Sequence, residues 1–196
     1  MILIINVCKE RLHYFEFVKP VEEILIKEGQ EFETIIYSKL TPTVLAGVGK
    51  VIICGTSLKD NSFLKDIKKF SWIKKFNKPI LGICAGMQII GLVFGGKVKK
   101  LTEIGFFRES FNQEFLGLLG EQEAFSQKNS MRPAVKEVYH LHNNFVDFKK
   151  VKDFEIFSEN KSVVQAVKHK DKELYGVLFH PEVRQKDLIK NFISLK

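Results

Sequence analysis

The sequence predicts an α/β fold in which an open, mostly parallel sheet is flanked by helices and extended by antiparallel strands, with residues 1–196 read as one domain. Three observations point to it. Short, largely apolar runs rich in β-branched residues recur at 2–7, 51–54 and 80–81, the pattern of strands buried on both faces as in parallel sheets. Helix-like stretches alternate with these runs, which argues for βαβ units. Two apolar runs also end in residues able to do chemistry, Cys84 and His180, and sites in such sheets gather beyond the carboxyl ends of the strands.

Residues 2–7 read as a central strand. Residues 20–29 read as a helix, with Pro20, Glu22 and Glu23 in its first turn and Gly29 past its end. Strands follow at 32–37 and 51–54, then a turn through Lys59-Asp60-Asn61. Ser62 is the expected cap of a helix running to Phe76, with Phe63, Ile67, Phe70 and Ile73 facing the sheet. Residues 78–81 lead into Gly82-Ile83-Cys84-Ala85-Gly86-Met87-Gln88, and residues 89–94 form a buried helix closed by Gly95-Gly96.

Past Val98 the periodicity weakens. Gly105-Phe106-Phe107 and Gly117-Leu118-Leu119-Gly120 fit added strands and connections, and residues 121–133 read as a mobile surface insertion. Strand-like segments at 135–145, 154–157, 163–167 and 174–179 follow, and 186–196 reads as a terminal helix.

Composition narrows the function classes. With 45% hydrophobic and 28% charged residues the chain is ordinary for a soluble globular protein. No apolar run approaches the roughly 20 residues that span a bilayer, and residues 1–5 lack the basic start of a signal peptide, so a cytoplasmic location is expected. The net charge of +8 is dispersed along the chain, which argues against nucleic-acid binding and for a solvated lysine-rich face, part of it free to meet an acidic partner. Three cysteines, an odd number in a chain without secretory features, argue against a disulfide framework. Cys8 and Cys54 read as structural residues, and all three sulfurs are expected near one rim of the sheet. His13 and His169 read as solvated surface residues.

A cysteine between glycines at a strand-to-helix turn has the layout of a nucleophile elbow. The helix that starts beyond the sulfur favours the thiolate through its N-terminal dipole. His180-Pro181-Glu182 supplies the rest: an imidazole to carry the proton and, two residues on, a carboxylate to fix its tautomer.

G-I-C-A-G-M-Q, the following F-G-G-K-V and the late G-V-L-F-H-P-E-V together resemble the class I (triad) glutamine amidotransferase domain along nearly the whole chain. The resemblance implies a flavodoxin-like core and a catalytic triad of Cys84, His180 and Glu182 that releases ammonia from L-glutamine through a Cys84 thioester. It implies no cofactor. No ATP-handling motif such as a P-loop is present, so the acceptor chemistry is expected on a separate ATP-using synthase. Within the family the chain is most similar to the glutaminase subunit of archaeal-type GMP synthase. Residues 138–146 also resemble the glutaminase subunit of imidazole glycerol phosphate synthase, and an anthranilate synthase partner stays open. A stand-alone γ-glutamyl hydrolase and a catalytically degenerate regulator are the remaining alternatives.

The resemblance assigns further roles. The oxyanion hole is expected from the N–H of Ala85 and from the loop at Gly55. That loop carries a single glycine, Gly55-Thr56-Ser57, where the family usually has two, which leaves open a loop completed only when a partner docks. Gln88, one helical turn after Cys84, and the backbone of Leu141, His142 and Asn143 are the expected substrate contacts. Leu141 stands where many relatives have serine. His140 and His142 form an H-x-H pair at a spacing that can ligate zinc. No third ligand sits at an obvious spacing, and no metal is expected.

Overall fold

A computed structural model describes residues 1–118 and 133–195. In chain order its elements are β1 (Ile2–Asn6), α1 (Arg11–Phe17), α2 (Lys19–Lys27), β2 (Phe32–Ile36), α3 (Pro42–Ala46), β3 (Lys50–Ile53), a 3-10 stretch (Ser62–Lys74), β4 (Ile80–Ile83) and α4 (Ala85–Val93). Then come β5 (Lys97–Phe111), β6 (Ala134–Asp147), β7 (Phe154–Asn160), β8 (Val163–His169), β9 (Leu174–Val177) and α5 (Lys186–Ser194). The strands form one mixed sheet in the order β2-β1-β3-β4-β9-β8-β7-β5-β6. Pairing is parallel from β2 through β9 and antiparallel from β9 to β6.

The apolar runs have a direct cause. In β1, Ile2 and Ile4 enter the core shared with Phe17, Val21, Leu25 and Phe192, whereas Leu3 and Ile5 enter the core shared with Phe63, Phe70 and Ile89. Successive side chains leave a strand on opposite faces, so a strand covered on both sides must be apolar throughout. Helices α1, α2 and α5 cover one face; the 3-10 stretch and α4 cover the other. Each fully buried Ile or Leu contributes roughly 1.5–3 kcal/mol. Among the described residues no helix is long and apolar enough to cross a membrane.

Several segments depart from the sequence expectation. Residues 62–74 form 3-10 turns broken at Asp66 (φ −109°, ψ 17°), where Asp66 accepts a hydrogen bond from the Tyr37 hydroxyl at 2.9 Å. Ser62 caps nothing: its hydroxyl donates to Asp60 at 3.0 Å. Residues 11–17 form a helix not expected from the sequence. His169 is buried against Phe94 and Phe154, and that burial holds its imidazole below the ordinary range. His13 is half-buried, with Ser57 at 3.2 Å and Asp60 at 3.6 Å. Residues 119–132, which include nearly all of the expected insertion, lie outside the described residues.

Candidate active site

β4 and β9 are adjacent and in register, Gly82 opposite Gly176 and Ile83 opposite Val177. The chain reaches Cys84 immediately after β4 and His180 shortly after β9, so one sheet edge receives both. The Cys84 N–H donates to the Val177 carbonyl at 2.8 Å, tying the two strand ends together. Cys84 itself sits at φ 48°, ψ −100°, a left-handed backbone that costs a side-chain-bearing residue about 1–3 kcal/mol. Close packing enforces it. A methyl on Gly86 would lie 2.2 Å from the Ile53 carbonyl oxygen, so a glycine is needed for α4 to press onto β3 and present the sulfur.

His180 is buried, with Nδ1 2.7 Å from Oε1 of the buried Glu182. Its Nε2 is buried with no hydrogen-bond partner. Phe17 packs on the ring at 5.3 Å between centroids, and the His180 N–H donates to the Tyr139 carbonyl at 2.8 Å. Gly55 marks the meeting point: a methyl there would lie 2.7 Å from His180 Cε1 and 3.4 Å from Cys84 Cβ. Burial disfavours the charged imidazole, but Glu182 and the Cys84 sulfur outweigh it and hold His180 well above the ordinary histidine range.

Burial pushes Cys8 up to about 11 and Cys54 well above its ordinary value, and Cys8 donates to the Gly55 carbonyl at 3.6 Å. All three cysteines are free.

A family model described as "Glutamine amidotransferase class-I" matches residues 14–195. The chain belongs to the class I glutamine amidotransferase family. It is 34% identical over 165 residues to a glutamine-hydrolyzing GMP synthase subunit of Methanosphaera stadtmanae, covering 84% of this chain and 77% of that one. To the subunit of the same name from Picrophilus torridus it is 29% identical over 171 residues, covering 82% of this chain and 84% of that one. The fold matches the crystal structure of a candidate GMP synthase subunit from Thermoplasma acidophilum with a TM-score of 0.79 at 23% identity, over 98% of this chain and 92% of that one. It also matches a glutamine amidotransferase from Thermotoga maritima at TM-score 0.66 and 19% identity, over 98% of this chain and 80% of that one.

In this amidotransferase a cavity at the sulfur is lined by Ala85, Gln88, Leu141, His142 and Asn143, five of the residues singled out from the sequence, together with Cys84. Gly55 is not among the lining residues; it makes room for the imidazole, and Thr56 and Ser57 face the cavity instead. Gln88 Nε2 donates to the Asn144 carbonyl at 3.1 Å, while its Oε1 is buried without a partner. The Cys84 sulfur lies 3.8 Å from the Leu141 carbonyl. The free space amounts to about 10 Å³, room for roughly one water. Asn143 Nδ2 to the Leu58 carbonyl (2.9 Å) and Asn144 Nδ2 to Asn61 Oδ1 (3.3 Å) draw the loop after β3 against β6 and narrow the site.

Sequence reasoning missed the loop's internal frame. Where the family usually has a second glycine this chain has Thr56, whose hydroxyl donates to Asp60 Oδ2 at 3.0 Å; the Lys9 N–H donates to the same oxygen at 2.5 Å. The only signal was the Asp-Asn turn composition, since such residues fix turns through their side chains. Burial raises the Asp60 pKa, but these donors outweigh it and hold the carboxyl below its ordinary value of 3.8. A carboxylate depressed on folding stabilises above its unfolded pKa and loses that contribution as pH falls through the folded value. Thermal midpoints recorded downward from pH 6 are therefore expected to fall more steeply below about pH 4 in the parent than in Asp60→Asn. Parallel curves would remove Asp60 as the loop's anchor.

Proposed function

We propose that this chain is a glutaminase subunit that hydrolyses L-glutamine to glutamate and ammonia for a separate ATP-using synthase, with GMP synthase the assignment its relatives favour. The observation that carries the reading is the buried line from Glu182 through His180 to Cys84. Cys84 attacks the γ-carboxamide carbon. His180, its tautomer fixed by Glu182, protonates the departing ammonia and then takes a proton from the water that opens the thioester. The Ala85 N–H, free at the first turn of α4, together with the loop at Gly55, receives the oxyanion. Gln88 and the segment Leu141, His142, Asn143 hold the amino acid.

Two features support a synthase partner. The space at Cys84, about 10 Å³, is too small for glutamine until the loop after β3 shifts. On the other side of His180 a second cavity of about 290 Å³ is lined by Phe17, Tyr139, His180, Glu182 and Val183. Large apolar side chains stand exposed on the elements around it: Leu12 and Phe15 on α1, Phe106 edge-to-face with Tyr139, and Val183. Exposed apolar patches of this kind mark docking surfaces. Glutamate release by the chain alone is expected to be slow and to rise when the synthase subunit of GMP synthase is added. A rate that stays unchanged with that subunit, while another ATP-using synthase captured from native extract raises it, would reassign the acceptor.

A further inference from the structure

Inside the curled antiparallel half of the sheet lies a cluster of polar side chains to which the glutaminase chemistry gives no role, His142 being assigned there only a backbone contact. β5 and β6 pair with Glu103 opposite His142 and Gly105 opposite His140. Period-two alternation therefore turns Glu103, Glu109, His140 and His142 to the same buried side. His140 and Glu109 are 0% exposed, His142 2% and Glu103 6%. His142 Nε2 lies 3.0 Å and His140 Nδ1 3.8 Å from the same carboxylate oxygen, Glu103 Oε2. His140 Nε2 lies 3.3 Å from Glu109 Oε1. One potential ligand atom each from Glu103, His140 and His142 falls within 4.8 Å of the others.

From this arrangement we infer that Glu103, His140 and His142 bind a divalent transition metal ion of the zinc class, with Glu109 orienting His140 from behind. The hydrogen bonding left undone carries the inference. Both nitrogens of His140, Nδ1 of His142 and Oε2 of Glu109 are buried without a hydrogen-bond partner, and buried polar atoms are seldom left so. Charge points the same way. Two buried carboxylates face two imidazoles that, when neutral, leave them uncompensated, and a dication restores the balance while using the imidazole lone pairs. The spacing suits it: at bonds of about 2.0–2.1 Å, tetrahedral ligands stand roughly 3.3–3.5 Å apart, between the 3.0 and 3.8 Å seen here. Glu109 on the far nitrogen of His140 reproduces the carboxylate–histidine–metal arrangement that fixes a ligand's tautomer. Gln165 donates to Glu103 Oε2 at 3.0 Å and so helps to orient that carboxylate. The bound ion would brace β6 at His140 and His142, on either side of the Leu141 carbonyl that meets the Cys84 sulfur. This site is independent of the glutaminase reading and stands whether or not that reading holds.

The test is metal binding by the intact chain. Protein purified from zinc-supplemented growth is expected to retain one zinc per chain by elemental analysis. After chelation, dialysis against cobalt(II) is expected to give the visible absorption of a nitrogen- and oxygen-ligated ion without a thiolate charge-transfer band. Cys84→Ser should leave both results intact, which separates the cluster from the sulfur. Glu109→Gln should weaken zinc affinity by roughly 10–100-fold, and His140→Gln by more than about 100-fold. Absence of stoichiometric metal in the parent protein, retention unchanged in Glu109→Gln and His140→Gln, or loss in Cys84→Ser would each overturn the assignment.

Discussion

Cys84→Ala is expected to reduce glutamine hydrolysis by at least about 10⁴-fold, since removing the nucleophile of a triad leaves only the catalysis that binding and the oxyanion hole supply. The substitution takes away the atom that forms the thioester and little else. Alanine accepts the same backbone with the same strain at φ 48°, and the Cys84 N–H to Val177 bond that ties β4 to β9 is a backbone bond. The thermal midpoint should therefore stay close to the parent value, and calorimetry should still detect glutamine binding. Ammonia release by the variant at the parent rate, with or without a synthase, would remove Cys84 from the chemistry.

Glu182→Gln is the second large effect. Glu182 accepts from His180 Nδ1 at 2.7 Å with both side chains buried, so its charge acts on the imidazole with less screening than at the surface. The neutral amide withdraws that charge. If its NH₂ faces Nδ1 it also moves the ring proton to Nε2, leaving no lone pair toward the sulfur. A comparable change in a serine triad costs about 10⁴ in kcat, and a loss of roughly 10³–10⁴-fold is expected here. A second readout separates this from simple unfolding. Glu182 is the foremost influence holding His180 above the ordinary histidine range, so the limb of the pH–rate profile that reports His180 should move to lower pH in the variant. An unmoved limb with a parent-like rate would mean that Glu182 does not orient the base.

The parallel half of the sheet was legible because burial on both faces forces continuous apolar runs, as in Ile2 to Ile5. The proposed triad was legible because each half is a local motif: glycines around Cys84 permit the elbow, and His180-Pro181-Glu182 is short enough to act as a unit. Long-range register hid the rest. Nothing local tells that Glu103 stands opposite His142, so the third partner of the H-x-H pair became visible only once β5 and β6 were paired. Helix α1 carries no side-chain cap at Glu10, so no start signal announced it. The apolar spacing of Phe63, Phe70 and Ile73 fits an α-helix and a 3-10 run about equally. The bond from Tyr37 to Asp66 at the break comes from a distant strand end. Gly55, singled out for the oxyanion hole, has a second role that no local pattern shows: its missing side chain leaves space for the His180 ring.

The most direct measurement is labelling of the chain by a glutamine-mimicking electrophile, read by peptide mass spectrometry with the synthase partner present. One equivalent of label on Cys84, prevented by glutamine and absent from Cys8 and Cys54, is the predicted result. Label on Cys8 or Cys54, or an unreactive Cys84 with every candidate partner, would contradict the triad.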